Sequence, residues 1–84
     1  METAFISIKF APEEYEVRIE TYGADGRLSG VSEYKGVKQI VFRDVEVRVN
    51  RQLSQTLFIL IAVAPRLEVS FVENSVLYLR GRNE

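Results

Sequence analysis

Apolar and polar residues alternate along most of this chain. Over residues 4–10, Ala4, Ile6, Ile8 and Phe10 fall on one side. Over residues 15–22, Tyr15, Val17 and Ile19 fall opposite Glu16, Arg18 and Glu20. A period of two marks a strand with one face on a core and one in water. Ala11-Pro12-Glu13-Glu14 separates the two segments, and Gly23-Ala24-Asp25-Gly26 follows the second. Asp-Gly favours a two-residue hairpin loop, because the type I′ turn needs positive φ at both positions. With Asp25-Gly26 as that loop, Arg18 falls opposite Glu33 and Glu16 near Lys35. Opposite charges facing each other across strands favour the register. Lys35-Gly36 offers a second turn that brings Lys38 beside Glu33. The pattern thus predicts a three-strand ribbon over about residues 15–43 with a charge ladder on one face.

Val31, Ile40 and Phe42 continue that face beyond its charged end, so it reads half wet and half dry. A bulge near Gly30, a bulge at Arg43-Asp44, or a second layer over that end resolves the conflict. The bulge at Arg43-Asp44 is favoured, because Val45, Val47 and Val49 then alternate with Glu46 and Arg48.

Residues 57–64, Leu-Phe-Ile-Leu-Ile-Ala-Val-Ala, break the alternation with eight apolar residues in a row. An unbroken apolar strand needs cover on both faces. The alternative is an α+β chain with one helix at about 51–63, capped by Asn50 and ended before Pro65. It would place Leu53, Leu57, Leu60, Ile61 and Ala64 on one face. The β-branched Ile59, Ile61 and Val63 and the wholly apolar circumference favour a strand over 56–64. Leu57, Ile59, Ile61 and Val63 then face the main core. Phe58, Leu60, Ala62 and Ala64 face a second layer or a second copy, which makes them the candidate oligomer interface. Residues 67–72 alternate again, Glu73-Asn74 turns, and 76–80 closes the chain. The sum is an all-β single domain over 1–84: an antiparallel meander of seven to eight strands forming a small sandwich or partly open barrel.

Composition narrows the function classes. The net charge of -1 gives no overall pull toward nucleic acid or membrane. Cysteine is absent, which fits a reducing, cytoplasmic setting. Met1-Glu2-Thr3 lacks the basic region of a signal peptide, and the eight-residue run falls far short of the roughly 20 residues of a spanning helix. Histidine is absent as well, which removes the commonest general base and metal ligand. The glycines at 23, 26, 30, 36 and 81 are spaced as turn and bulge residues rather than as a phosphate loop. No metal or cofactor is expected.

Two charged groups remain to be weighed. Glu13, Glu14, Glu16 and Glu20 cluster early. A carboxylate pair for glycoside hydrolysis needs a cleft between its members, and a small meander has little material for one, so these residues read as a solvated acidic edge. Arg43, Arg48, Arg51, Arg66, Arg80 and Arg82 fall in the second half, with Asp44, Glu46, Glu68 and Glu73 among them. That mixture reads as an ordinary mixed-charge face, and no cluster of exposed aromatics accompanies it. Nucleic acid is therefore not the expected partner. Tyr22 and Tyr34 flank the hairpin, either capping the core or docking a basic partner beside the acids.

The order of segments in the second half resembles a known type. An apolar strand ends in Phe42; then come Asp44-Val45, a joint bearing Gln52 and Gln55, Leu57-Phe58-Ile59, Leu67-Glu68-Val69-Ser70-Phe71, and Leu77-Tyr78-Leu79. This is similar to small bacterial β-meander proteins of the polymorphic-toxin immunity type, over about half the chain. The resemblance implies a cytosolic protein that binds and neutralises a toxin domain. The expected function is thus a non-enzymatic protein-binding module, an inhibitor or immunity-type protein. Its candidate partner-binding residues are Glu13, Glu14, Glu16, Glu20, Tyr22 and Tyr34. The alternatives are a self-assembling structural subunit (a phage or secretion component) with a homodimer through the 58–64 face, a phage-encoded inhibitor of host defence, and a weak single-strand nucleic-acid binder.

Overall fold

Eight strands form two stacked sheets in the computed structural model, which describes residues 2–63, 66–72 and 75–82. They are β1 (Glu2–Phe10), β2 (Tyr15–Tyr22), β3 (Leu28–Val37), β4 (Gln39–Arg43), β5 (Glu46–Leu53), β6 (Thr56–Val63), β7 (Arg66–Val72) and β8 (Val76–Arg82). One sheet has five strands in the order β3-β2-β1-β6-β5, and the other has three in the order β4-β8-β7. The result is an all-β sandwich that does not close into a barrel. No helix among the described residues is long and apolar enough to cross a membrane.

Alternation decides what each strand buries. Ala4, Ile6 and Ile8 of β1, Val17 and Ile19 of β2, and Ile59, Ile61 and Val63 of β6 point inward. Leu77 and Leu79 of β8 meet them from the other sheet, both with no exposed surface. Ile40 and Phe42 of β4 and Leu67 and Val69 of β7 pack around this centre. The apolar run is a strand paired on both sides, antiparallel to β1 and to β5. Ala64 and Pro65, and the Glu73-Asn74 turn, lie outside the described residues.

Several sequence expectations change in detail. Residues 51–53, read above as the start of a possible helix, end β5, and Ser54–Gln55 makes a two-residue turn into β6. Arg18 does pair with Glu33, but the loop differs from the type I′ expectation. The Gly26 N–H donates to the Gly23 carbonyl at 2.9 Å and the Gly23 N–H to Arg27 at 3.0 Å, with Gly26 at φ 79°. The loop therefore holds one residue more than expected. A register shift between Thr21 and Tyr22 leaves Ser29 as an extra residue on β3 and restores the Arg18–Glu33 match.

Lys35-Gly36 is not a turn. Gly36, at φ 70°, makes a second irregularity inside β3, between the Tyr15 and Val17 pairings. The chain then leaves the sheet, and β4 pairs parallel to β8. The three-strand ribbon and the Lys38–Glu33 neighbourhood are thereby replaced by β2–β3 alone. A second layer resolves the half-wet face: Val31 stays outside on β3, while Ile40 and Phe42 pack on the core from β4. Arg43-Asp44 is a crossover between sheets rather than a bulge, with Asp44 at φ 58°. The bulge falls at Arg48, and it pairs Val47 with inward Ile61 but Val49 with outward Leu60.

Candidate functional site

Among the described residues, none forms a second layer over the outer face of the five-stranded sheet. Register fixes its rows, because directly paired residues of neighbouring strands share a face. One row runs Val31, Glu20, Phe5, Leu60, Val49 from β3 to β5, and the next runs Glu33, Arg18, Ser7, Phe58, Arg51. The Phe5 and Phe58 rings stack at 5.8 Å with an interplanar angle of 11°. Together with Leu60 they form an apolar centre. Ala62 lies beside it, nearly buried under its neighbours, and Val49 continues it to the β5 edge, 50% exposed. Phe58, Leu60 and Ala62 thus share one outward face, whose cover is their own neighbours in the sheet.

The β2–β3 side of this face is charged. The Arg18 guanidinium donates to Glu33 at 3.1 Å and to Glu20 at 3.2 Å. Lys35 stands 4.0 Å from Glu16, at the far end of the same ladder. The Tyr22 hydroxyl donates to the other Glu20 oxygen at 3.1 Å. A shallow depression of about 420 Å³ lies along this ladder, lined in part by Lys9, Glu16, Arg18, Glu33 and Lys35.

The bond to Glu20 is the main reason that the Tyr22 hydroxyl ionises above its ordinary 10.0, with lesser help from desolvation and the carboxylate's charge. The bonds to Glu20 and then Glu33 likewise raise Arg18. Because the folded pKa of Tyr22 lies above the unfolded value, its contribution to stability is fully present below about pH 10 and is lost as pH rises through the folded value. A spectroscopic titration at 295 nm should accordingly show one tyrosine lagging the rest. Tyr22→Phe should remove that late component, and an unchanged curve would dissolve the assignment.

The sequence-selected residues separate in space. Glu16, Glu20 and Tyr22 come together on the outer face. Glu13 and Glu14 lie in the exposed β1–β2 loop at one end of the sheet. Tyr34 points to the inner side, where it packs on the core and meets Phe71 edge-on at 5.7 Å. Phe5 and Val49 were not among the selected residues, although Phe5 had a signal: it is the one large apolar residue on the polar side of the 4–10 alternation. Among the described residues, no group of three or more acidic side chains is placed to hold a metal. No protein-family model, curated protein or solved structure matches the chain.

Proposed function

We propose that this protein is a non-enzymatic binding module that covers a partner protein with the outer face of its five-stranded sheet, in the manner of a small inhibitor or immunity-type protein. The observation that carries the reading is the apolar centre of Phe5, Phe58 and Leu60 beneath no second layer, bounded by charge on the β2–β3 side and by Arg51 on β5. An apolar centre with a polar rim is the anatomy of a protein interface. A cytoplasmic setting belongs to the same reading, and a chain without cysteine is compatible with it.

Leu60→Asp tests it. A carboxylate at the apolar centre should lower recovery of a co-purifying partner from the native host at least about tenfold relative to wild type, since central apolar contacts carry most interface energy. Equal recovery by the two proteins would remove this face from binding.

A homodimer through the same face is the second reading, favoured by one observation. A two-fold axis along the strands lays β5 over the β3 of the other copy and sets Arg51 against Glu33. Arg51 makes no ion pair with the described residues of its own chain, and the Glu33 side chain is 65% exposed. Sedimentation equilibrium separates the readings, because a monomer at every concentration leaves only a foreign partner.

A further inference from the structure

The other broad face gathers charge that the sequence scatters. On the outside of the three-stranded sheet, Arg43 of β4 is in register with Arg80 of β8, and Arg80 with Glu68 of β7. Arg82 and Arg66 form the next row. Among the described residues, four arginines therefore share this face with one glutamate, in a chain whose net charge is -1. Glu68 does not neutralise its registered neighbour Arg80. Its carboxylate lies 2.6 Å from Arg82 instead. Arg43 and Arg80 have no carboxylate partner among the described residues.

Like charges directly abreast on neighbouring strands are destabilising. A local choice that works against the fold points to a task outside the fold. The two guanidiniums border a cleft of about 180 Å³ that is also lined by Ser70, Tyr78 and Glu68, whose carboxylate is paired with Arg82. Tyr78 lies one inward-outward period along β8 from Arg80, about 7 Å away, and is 38% exposed. Val41 and Ser70 flank it in register. The face thus offers two forked cations without a carboxylate partner among the described residues, two hydroxyls and, a step further on, an exposed aromatic ring.

We propose that the outer face of the three-stranded sheet binds single-stranded nucleic acid, with a phosphate held between Arg43 and Arg80 and the adjoining base stacked on Tyr78. Arginine forks match phosphate oxygens in geometry as well as charge. A tyrosine beside them stacks on any base, so contact is sequence-tolerant. An acidic peptide would use the arginines but not the aromatic platform, and this separates it from the proposal. The site is on the opposite side of the sandwich from the protein-binding face and stands or falls independently of it.

The test is anisotropy of a labelled oligothymidylate of about 15 nucleotides, titrated across salt concentrations. Affinity should fall with log salt by about 0.7 per phosphate neutralised, so the Arg43→Gln/Arg80→Gln double variant, which gives up the one phosphate held between them, should lose about 0.7 from the slope. Tyr78→Ala should weaken binding about tenfold and leave the slope unchanged. Arg27→Gln, at the exposed β2–β3 loop tip, should change neither. All these side chains are exposed, and circular dichroism should show each variant folded as wild type. The proposal is overturned if the oligonucleotide does not bind at low salt, or if the double variant keeps the wild-type slope. It also fails if polyglutamate competes equally while Tyr78→Ala binds as wild type, which would make the face a site for acidic peptide.

Discussion

Gly81→Ala should cost about 3 kcal/mol or more, the largest loss expected from adding a single methyl group to this protein. Gly81 is buried on β8, where the β4–β5 crossover passes over it. A Cβ there would drive into the Asp44 carbonyl, lying within 3.2 Å of its carbon and of Val63 Cγ1. The obstacle is backbone, which cannot swing aside as a side-chain tip can. Asp44 is already at φ 58°, a region that a residue with a Cβ enters only at some cost, so the crossover has little slack. Moving it would pull β4 and β5, which belong to different sheets, away from their partners. An 84-residue chain has a total stability of about 4–12 kcal/mol. A loss of about 3 kcal/mol should lower the thermal midpoint by about 12–24 °C. A midpoint within about 3 °C of wild type would mean that the sheets are not held this closely at Gly81.

How far the sequence reaches depends on the range of the physics involved. β1, β2 and β6 are legible because hydrophobic period and β-branching act within the strand. The Arg18–Glu33 register is legible because a charge pair reports it across a short hairpin. The loop type is not, since a longer loop and the extra Ser29 compensate and leave the same pairing. Gly36 shows the limit clearly. A positive φ serves a turn or a bulge equally well, and the choice is made by β4, which finds its place beside β8 at the far end of the chain. The arginine face is illegible for the same reason. Asp44 and Glu46 sit next to Arg43 in sequence and suggest neutralisation, but the crossover carries Glu46 to the other sheet. Arg43, Arg66, Arg80 and Arg82 become neighbours only through one parallel and one antiparallel pairing.

Residues 57–64 allow the two faces of one strand to be compared at adjacent positions. Ile61 has no exposed surface and belongs to the central cluster with Ile6, Ile19, Leu77 and Leu79. Leu60 points the other way, paired with Phe5 and Val49 on the open face and only partly buried. Ile61→Ala removes three methyl-sized groups from a site walled by two sheets that cannot both collapse inward, so it should cost about 2–5 kcal/mol. Leu60→Ala leaves a dent that water can fill, and it loses only the part of the transfer free energy that the free protein realises, about 1 kcal/mol. Urea denaturation reads both, with an unchanged m-value required for the comparison to be one of stability. If the outer face binds a partner as proposed, the order should reverse for that binding. Leu60→Ala should weaken it, whereas Ile61→Ala should leave it intact at temperatures where the protein remains folded. If Leu60→Ala proves as destabilising as Ile61→Ala, something within the chain covers the outer face, and binding moves to the charged strands around it.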